Sequence, residues 1–376
     1  MTSQSSTPPD DDLRFMELAL ALGRRGLGRT WPNPSVGALV VRRERDGSAI
    51  VGRGWTQPGG RPHAETEALA RAGAAARGAT LYVTLEPCSH HGQTAPCADA
   101  VIAAGIAEVV SAQEDPNPQV AGEGHRRMAA AGITVRVGLG AEEARRVHAG
   151  HIRRMREGRP QVFLKLAVSA DGKAGLAGRR PVAITGEEAR ERVHLMRAMS
   201  DAVLTGRGAI AADDPLLTCR LPGMAGLSPV RVVLDTNLQL SLDARVVASA
   251  REVPLWVLAG LHAPPEREAA LRARGVEVMR VPGGEAGLDL EAALQSLGRR
   301  GITRLMAETG PILAAALLRA DLIDEAFLLR SASTIGAEGI DALEGLPLEA
   351  LTRSPELKVI GTEQIGADTM EILARR

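Results

Sequence analysis

The sequence predicts two α/β domains that meet near residue 158, each with a sheet covered by helices on both faces. The chain has 376 residues, which is too many for one comfortable core and suits two. Segments with strand and helix patterns alternate in both halves. Between the halves, a charged helical run ends at the break Gly158-Arg159-Pro160.

Composition and charge exclude several classes of protein. Lys plus Arg equals Asp plus Glu, at 45 each, so no net charge draws the chain to nucleic acid or to an anionic membrane. Aromatic residues make up only 2%, which is few for a single-strand nucleic-acid binder. No apolar run reaches the length of a membrane span, and three cysteines favour a reducing compartment over a disulfide framework. We therefore expect a cytoplasmic enzyme that binds neither nucleic acid nor membrane.

The first half opens with residues 1–12, which are rich in Ser, Thr, Pro and Asp and lack the pattern of a signal peptide. We expect them to form a disordered tail. The pattern then predicts strands at 36–41, 49–54, 80–85, 108–112 and 133–137, and helices at 13–27, 64–76, 98–104 and 122–131. Residues 142–156 indicate a solvated connecting helix, which we prefer to a second metal site at His148 and His151.

The second half restarts with an apolar strand at 162–168 that only Lys165 interrupts, as is typical of a buried parallel strand. A largely parallel sheet is expected, with a helix at 187–199. Further strands are predicted at 202–204, 230–234, 255–258, 276–281, 304–307 and 325–329, and residues 369–373 allow a final one.

The most informative residues are His63, Glu65, Cys88 and Cys97. Imidazole and thiolate are zinc ligands, and a catalytic zinc site keeps three protein ligands with a fourth position open to water. Zinc nucleobase deaminases carry His-x-Glu and Pro-Cys-x-x-Cys, with the glutamate as a general acid/base. Here eight residues separate the two cysteines instead of two. The pattern therefore predicts a hydrolytic deaminase in which Glu65 moves the protons.

Other interpretations compete with this one. His90 or His91 would complete the four ligands of a structural zinc site, which would make the domain a scaffold without catalysis. A nucleoside, tRNA or DNA deaminase is also conceivable, although the neutral charge and the wide cysteine spacing oppose it. In the second half, Thr205-Gly206-Arg207-Gly208 and Glu308-Thr309-Gly310-Pro311 follow strands and are either phosphate-binding turns or ordinary tight turns.

The first third of the chain resembles the RibD family of bifunctional riboflavin biosynthesis proteins. The similarity rests on residues 30–37, 62–65, 82–90, 96–97 and 115–122. The second half resembles the reductase part of the same family at residues 165–173, 184–186, 212–218, 231–235, 308–311 and 322–325. The match therefore covers nearly the whole chain from about residue 13.

This resemblance implies a cytidine-deaminase-like three-layer α/β/α domain at 13–157 and a dihydrofolate-reductase-like α/β domain at 158–376. It implies deamination of a phosphoribosylated diaminopyrimidinone with Zn²⁺, and then reduction of the ribose to ribityl with NADPH. Glu65, Lys165 and Glu308 would be catalytic, and zinc would be held by His63, Cys88 and Cys97. The substrate positions would be Asn33, Arg197, Leu217, Arg220 and Glu308. The cofactor positions would be Ala167, Ala183, Ala209, Asp213, Thr236 and Gly310.

The chain also departs from the family pattern. Ala170 stands where the family usually has leucine, Ala183 where it has tryptophan, and Ser331-Ala332-Ser333 where it has Ala-Pro-Lys. In the deaminase half, Thr56 and Gln93 replace a usual histidine and a usual basic residue. The departures leave open a deaminase whose second domain binds a ligand or partner without reducing it. The resemblance further implies a homo-oligomer, either a dimer or a tetramer.

Overall fold

The computed structural model describes residues 9–90, 95–118, 120–179, 182–284 and 287–376. The chain divides into two compact units, Met1–Gly158 and Arg159–Arg376. Gly158 has a φ of 71° and ends the last helix of the first unit in the left-handed conformation, which glycine adopts without a steric cost. Within the described ranges, no helix is both long and apolar enough to cross a membrane.

The first unit is built on a mixed sheet. Its strands are β1 (Gly37–Glu44), β2 (Gly47–Trp55), β3 (Thr80–Val83), β4 (Glu108–Ser111) and β5 (Thr134–Val137). Its helices are α1 (Pro9–Arg24), α2 (Ala64–Ala72), α3 (Cys97–Ala103), α4 (Glu123–Ala130), α5 (Ala141–Val147) and α6 (Ala149–Glu157). The strand order is β2-β1-β3-β4-β5, and β3, β4 and β5 are parallel while β1 is antiparallel to both of its neighbours.

Both faces of this sheet are buried. Along β1, Ala38 and Val40 belong to a core cluster that includes residues of α2, α3 and α4. The alternate residues Leu39 and Val41 belong to a second cluster with residues of α1 and α5. This alternation follows from the two-residue period of a strand, and the resulting layers are helix, sheet and helix.

The expectation of a disordered tail over residues 1–12 is wrong at its end, because α1 begins at Pro9; residues 1–8 lie outside the described residues. Asp12 is buried and accepts hydrogen bonds from the Tyr82 hydroxyl at 2.6 Å, from Arg43 at 2.9 Å and from Arg136 at 2.7 Å. Its carboxylate thus ties the first turn of α1 to the sheet. Composition alone did not reveal this because the three partners are far away in the sequence.

The charged run at 142–156 also differs from the prediction. It forms two helices, α5 and α6, which meet at His148. His148 and His151 are both buried rather than solvated. The Nε2 atom of His148 lies 3.0 Å from Thr84 Oγ1, and that of His151 lies 3.1 Å from Asp115 Oδ1. The two histidines therefore fasten these helices to the loops that follow β3 and β4.

The second unit contains a larger sheet. Its strands are β6 (Gln161–Val168), β7 (Lys173–Leu176), β8 (Ala202–Gly206), β9 (Val230–Leu234), β10 (Leu255–Gly260), β11 (Glu277–Val281), β12 (Gly283–Gly284), β13 (Gly287–Leu288), β14 (Arg304–Ala307), β15 (Glu325–Arg330), β16 (Gly339–Asp341), β17 (Leu357–Ile365) and β18 (Asp368–Arg375). Its helices are α7 (Glu187–Ala198), α8 (Arg207–Asp213), α9 (Arg245–Ala248), α10 (Pro265–Ala273), α11 (Leu290–Arg299), α12 (Pro311–Arg319) and α13 (Glu349–Thr352).

The main sheet has the order β11-β10-β9-β8-β14-β6-β15-β18-β17. In this order, every strand from β11 at one edge to β15 is parallel to its neighbours. Strands β18 and β17 then add an antiparallel hairpin at the other edge. The long apolar strand β6 lies between β14 and β15, which pair with its two edges. Strand β17 was not predicted from the sequence. Its residues alternate only partly between buried and exposed positions, so its sequence lacks a clear pattern of alternating apolar and polar residues.

Candidate active sites

The first candidate site is a group of three side chains in the first unit. His63 is the residue before the first turn of α2, Cys97 is the first residue of α3, and Cys88 lies in the loop after β3. The Nδ1 atom of His63 lies 3.3 Å from the sulfur of Cys97 and 3.7 Å from that of Cys88. The three ligand atoms all lie within 4.8 Å of one another.

Close packing of α2 against β2 sets the position of His63. A Cβ atom at Gly54 would lie 2.2 Å from the Ala64 carbonyl oxygen, and one at Gly52 would lie 2.2 Å from that of Ala68. Any side chain at these two positions would push the helix away from the strand. The glycines therefore allow the start of α2, which carries His63 and Glu65, to lie directly against the sheet.

The segment that carries Cys88 is held by Glu86, a buried carboxylate two residues before it. Its oxygens accept backbone N–H groups of Asp115 at 3.1 Å, of Gly122 at 2.8 Å and of Gly124 at 2.8 Å. The loop after β4 is thereby fastened beside the cysteine. Glu86 is thus a structural residue next to the site, and Glu65 is the acidic residue within it.

The electrostatics of the group suit a metal ion. Hydrogen bonding from the Cys97 thiol, and then from His63, lowers the pKa of Cys88 to about 4, against the effect of burial. The backbone N–H of Cys97 also donates to the Cys88 sulfur at 3.3 Å. Burial raises the pKa of Glu65 to about 7, although the nearby His63 lowers it. A thiolate is the form that binds zinc, and a carboxyl group with a pKa near neutrality can both accept and donate a proton.

The donor set fits zinc with one open position. One imidazole nitrogen and two sulfurs converge, and within the described ranges no fourth His, Cys, Asp or Glu joins them. His90 is exposed and outside the group, while His91 and Gln93 lie outside the described residues. Three ligands are typical of a catalytic zinc site, whereas a structural site has four. The arrangement therefore favours the catalytic interpretation over the structural one.

The predicted substrate residue Asn33 and the departure Thr56 also lie in this half, and both make hydrogen bonds to the backbone. The Nδ2 atom of Asn33 donates to the Gly60 carbonyl oxygen at 2.9 Å, which holds the residue against the segment that leads to His63. Thr56 is buried, and its hydroxyl accepts the N–H of Val36 at 3.0 Å. Thr56 therefore serves the backbone beside β1.

The second candidate site is a cavity of about 340 Å³ in the second unit. It opens at the ends of β6, β8 and β14, where open α/β sheets place their ligands. Seven of the predicted residues line it, and they come from both the catalytic and the cofactor sets: Lys165, Ala167, Ala183, Ala209, Asp213, Glu308 and Gly310. The described residues that line the cavity do not include the other predicted positions of this half, which are Arg197, Leu217, Arg220 and Thr236.

Charged side chains meet at one side of this cavity. The Nε and Nη2 atoms of Arg197 donate to the two carboxylate oxygens of Glu308 at 2.9 and 2.7 Å. Burial lowers the pKa of Lys165, and the Glu308 carboxylate partly offsets this effect. Burial would raise the pKa of Glu308, but Arg197 and then Lys165 outweigh it and lower that pKa to about 2. Glu308 is therefore an anion that the buried Arg197 and the partly buried Lys165 both stabilise.

The part of the cavity lining next to Glu308 in the chain suits the phosphates of a dinucleotide. Gly310 is the residue before the first turn of α12, and no atom lies within 4 Å of the place where its Cβ would be. The buried Oγ1 atom of Thr309 has no hydrogen-bond partner among the described residues. The N–H groups at a helix N-terminus and an unpartnered hydroxyl can donate hydrogen bonds to phosphate oxygens, and a glycine with open space beside it allows the phosphate to approach. The residues present therefore fit a cofactor such as NADPH.

Thr309 belongs to the turn that the sequence offered as a candidate phosphate-binding turn, and it lines the cavity between Glu308 and Gly310. Sequence reasoning missed one residue in this region, His194. His194 lies one helical turn before Arg197 on α7, and its Nδ1 atom is 3.4 Å from Arg197 Nη1. Residues three apart on a helix share a face, so the spacing from Arg197 was a usable signal for His194.

Comparison with known proteins agrees with both sites. The model of the cytidine and deoxycytidylate deaminase zinc-binding region matches residues 9–113, and the model of the RibD C-terminal domain matches residues 160–370. The riboflavin biosynthesis protein RibD of Escherichia coli is 40% identical over 370 residues, which is 95% of this chain and 97% of that protein. The RibD protein of Aquifex aeolicus is 36% identical over 364 residues, which is 97% of this chain and 98% of that protein.

Two solved structures resemble the whole chain. RibD of Acinetobacter baumannii has a TM-score of 0.85 at 33% identity and covers 98% of this chain and 99% of its own. A diaminohydroxyphosphoribosylaminopyrimidine deaminase/5-amino-6-(5-phosphoribosylamino)uracil reductase from Thermotoga maritima has a TM-score of 0.82 at 34% identity, and covers 97% of this chain and 99% of its own.

A zinc-binding deaminase region followed by a reductase domain defines a bifunctional deaminase–reductase. The chain belongs to the RibD family of riboflavin biosynthesis proteins. Its reductase domain is related to reductases that use NADPH. The predicted family, fold class, enzyme class and cofactors are therefore confirmed, and the match over both domains favours two activities over a deaminase alone.

Proposed function

We propose that the chain hydrolyses the amino group of 2,5-diamino-6-(5-phosphoribosylamino)pyrimidin-4(3H)-one and then reduces the ribose of the product. The final product is 5-amino-6-(5-phosphoribitylamino)uracil. The observation that carries the first step is the convergence of His63, Cys88 and Cys97 beside the buried Glu65. The Thermotoga maritima relative, whose name states a deaminase and a reductase of such compounds, supports the choice of substrate.

In the deaminase domain, His63, Cys88 and Cys97 hold zinc, and Glu65 moves the protons. Zinc, when bound there, lowers the pKa of water so that hydroxide is available at neutral pH. Glu65 takes a proton from the attacking water and delivers it to the ring nitrogen, which helps ammonia to leave. Asn33, held against Gly60, orients the pyrimidine.

In the reductase domain, Lys165 and Glu308 position and polarise the sugar. Arg197, Leu217 and Arg220 bind the rest of the substrate, with Arg197 paired to Glu308 at 2.7 Å. NADPH, when bound, supplies the hydride. We assign its binding to five residues that line the cavity and to Thr236, which lies outside that lining; the five are Ala167, Ala183, Ala209, Asp213 and Gly310.

The same proposal extends to the organisation of the protein. The deaminase domain ends at residue 157 and the reductase domain spans 158–376. The protein is a cytoplasmic homo-oligomer, either a dimer or a tetramer, that binds neither nucleic acid nor membrane. Equal numbers of acidic and basic residues, at 45 each, and the aromatic content of 2% support the absence of nucleic acid.

The test follows ammonia release and NADPH absorbance together, with the diaminopyrimidinone riboside phosphate as substrate. We expect ammonia first and NADPH loss second. Glu65→Gln should abolish both signals while the protein keeps its zinc, and it should still oxidise NADPH when the deaminated intermediate is supplied. Glu67→Gln is the matched control, because Glu67 lies on the same helix and pairs with Arg71 at 3.0 Å. Ammonia release without NADPH loss from wild-type protein would overturn the second half of the proposal.

A further inference from the structure

The loop that follows α8 carries two of the proposed substrate residues, Leu217 and Arg220, and its backbone is strained. Leu217 has a φ of 57° and Asp214 a φ of 39°, which are left-handed values that L side chains rarely adopt. Such residues persist only where the surroundings hold them in place. The groups that anchor this loop therefore decide where Leu217 and Arg220 lie.

Two contacts hold the loop at Leu216 and Cys219. The backbone N–H of Cys219 donates to the Ser228 hydroxyl at 3.1 Å. The guanidinium of Arg231, which is fully buried, lies 3.4 Å from the carbonyl oxygen of Leu216. These contacts join the loop to residues that follow it closely in the sequence. Neither of them involves the charged cluster of Arg197, Lys165 and Glu308.

His194 and Arg197, both on α7, connect the loop to that cluster. The Nδ1 atom of His194 lies 3.3 Å from the backbone nitrogen of Arg220 and 3.0 Å from the carbonyl oxygen of Thr218. The same carbonyl oxygen accepts a hydrogen bond from Nη1 of Arg197 at 3.0 Å. Arg197 in turn binds both oxygens of Glu308. The imidazole is thus the contact between the Arg220 backbone and the helix that presents Arg197.

The imidazole has one donor and one acceptor partner at Nδ1. The Arg220 N–H can only donate, so its contact with Nδ1 requires a lone pair there and the ring proton on Nε2, whereas a proton on Nδ1 would be donated to the Thr218 carbonyl oxygen. With the ring proton on Nε2, the Thr218 carbonyl oxygen still accepts a hydrogen bond, because Nη1 of Arg197 donates to it. Burial lowers the pKa of His194, and the positive charges of Arg197 and Arg220 lower it further, while the Thr218 carbonyl oxygen and Glu308 raise it; the net lowering favours the neutral ring. A neutral ring with a bare Nδ1 is the form that can hold the Arg220 amide.

We propose that His194 is a positioning residue of the reductase site, which fixes the Arg220 amide so that the side chain of Arg220 faces the substrate beside Arg197 and Glu308. The charges agree with this placement, because the pKa of Arg220 is lowered by burial and by Arg197 and is raised by Glu308. His194 does not touch the reacting atoms and acts through the loop. This inference rests on the proposed reductase function.

The experiment measures steady-state reduction of the deaminated intermediate by NADPH with the full chain. His194→Ala removes the acceptor and should raise the KM for the intermediate about tenfold, the effect of one lost hydrogen bond, with kcat and the KM for NADPH nearly unchanged. His194→Asn keeps an acceptor at the position of Nδ1 and should restore most of the affinity. His262→Ala, at an exposed histidine of the same unit, should leave every constant unchanged.

The outcomes separate this inference from the proposed function. If wild-type protein does not reduce the intermediate, the reductase assignment itself fails. If wild-type protein is active and His194→Ala leaves the KM for the intermediate unchanged, the role of His194 is refuted. It is equally refuted if His194→Ala lowers kcat and raises both KM values while His194→Asn gives no recovery, because that result describes general damage to the fold. Ammonia release by the deaminase half should be the same in all variants.

Discussion

The partly buried carboxylate of Glu308 leads to a quantitative prediction for the second unit. Glu308→Gln keeps the shape of the side chain and removes the negative charge next to Arg197 and Lys165. The buried Arg197 and the partly buried Lys165 then remain without an anion, and an uncompensated charge away from water is expensive. We expect the free energy of unfolding to fall and the reductase activity to be lost.

The magnitude follows from the pKa of the carboxyl group. Burial would raise this pKa, but Arg197 and Lys165 lower it from 4.5 to about 2. At about 1.4 kcal/mol for each pH unit, the ionised form contributes on the order of 3 kcal/mol to stability at neutral pH. Because the pKa is lowered in the folded state, this contribution is fully present above pH 4.5 and is lost as the pH falls towards 2. The difference between wild type and variant should shrink over the same range.

The assay is urea unfolding followed by the fluorescence of Trp256, which is the single tryptophan of the second unit, in a background where Trp31 and Trp55 are Phe. Glu363→Gln is the matched control. Glu363 pairs with Arg192 at 2.8 Å, but the two side chains are 42% and 37% exposed, so its loss should cost less than about 0.5 kcal/mol. If Glu308→Gln costs no more than this control at pH 7, the ion cluster does not stabilise the unit in the way described.

Three other predictions concern the first unit. Asp12→Asn should cost about 1–2 kcal/mol in the free energy of unfolding, because Arg43 and Arg136 lose a charged acceptor; urea unfolding measures this. Glu86→Gln should cost about 2–3 kcal/mol and reduce ammonia release, because its amide group would place N–H donors against the backbone N–H groups that the carboxylate accepts. Burial lowers the pKa of His148 to about 3, so the folded state resists protonation and stability should fall by about 1.4 kcal/mol per unit as the pH drops from 6.5 towards 3; unfolding at several pH values measures this slope.

Each of these predictions has an outcome that would contradict it. Glu142→Gln is the control for the first two, since Glu142 is 81% exposed, and equal costs for it and for Asp12→Asn or Glu86→Gln would show that burial of the carboxylates is not decisive. His148→Gln cannot take up a proton and should flatten the acid slope. An unchanged slope in that variant would assign the acid sensitivity to other groups.

The sequence predicted the elements that carry a local signal. His63 and Glu65 at the start of a helix, and Cys88 after a strand, follow from spacing and periodicity, and the structure brings the ligands together. The apolar strand around Lys165 also lies where its pattern places it, between two parallel neighbours. In these cases, the residues that determine the structure are close together in the sequence.

Features that depend on distant partners could not be predicted in this way. The helix that contains Asp12 is held to the sheet because Arg43, Tyr82 and Arg136 donate hydrogen bonds to its carboxylate. The sequence near Asp12 gives no sign of these partners. His148 is buried in a run whose composition suggests a solvated helix, because Thr84 lies opposite it. Likewise, the contact of His194 with Arg220 spans 26 positions in the chain and depends on the path of a strained loop.

The strand order of the larger sheet has a consequence for how the protein is made. Strand β6 is the first strand of its unit in the chain, yet its neighbours in the sheet are β14 and β15, which are synthesised more than a hundred residues later. Until those strands leave the ribosome, both edges of this largely apolar strand lack their partners. The sheet of the first unit pairs strands that are much closer in sequence, so that unit can form while synthesis continues. The second unit therefore keeps an apolar strand unpaired for longer during synthesis than the first unit does, and unpaired apolar strands are prone to aggregation.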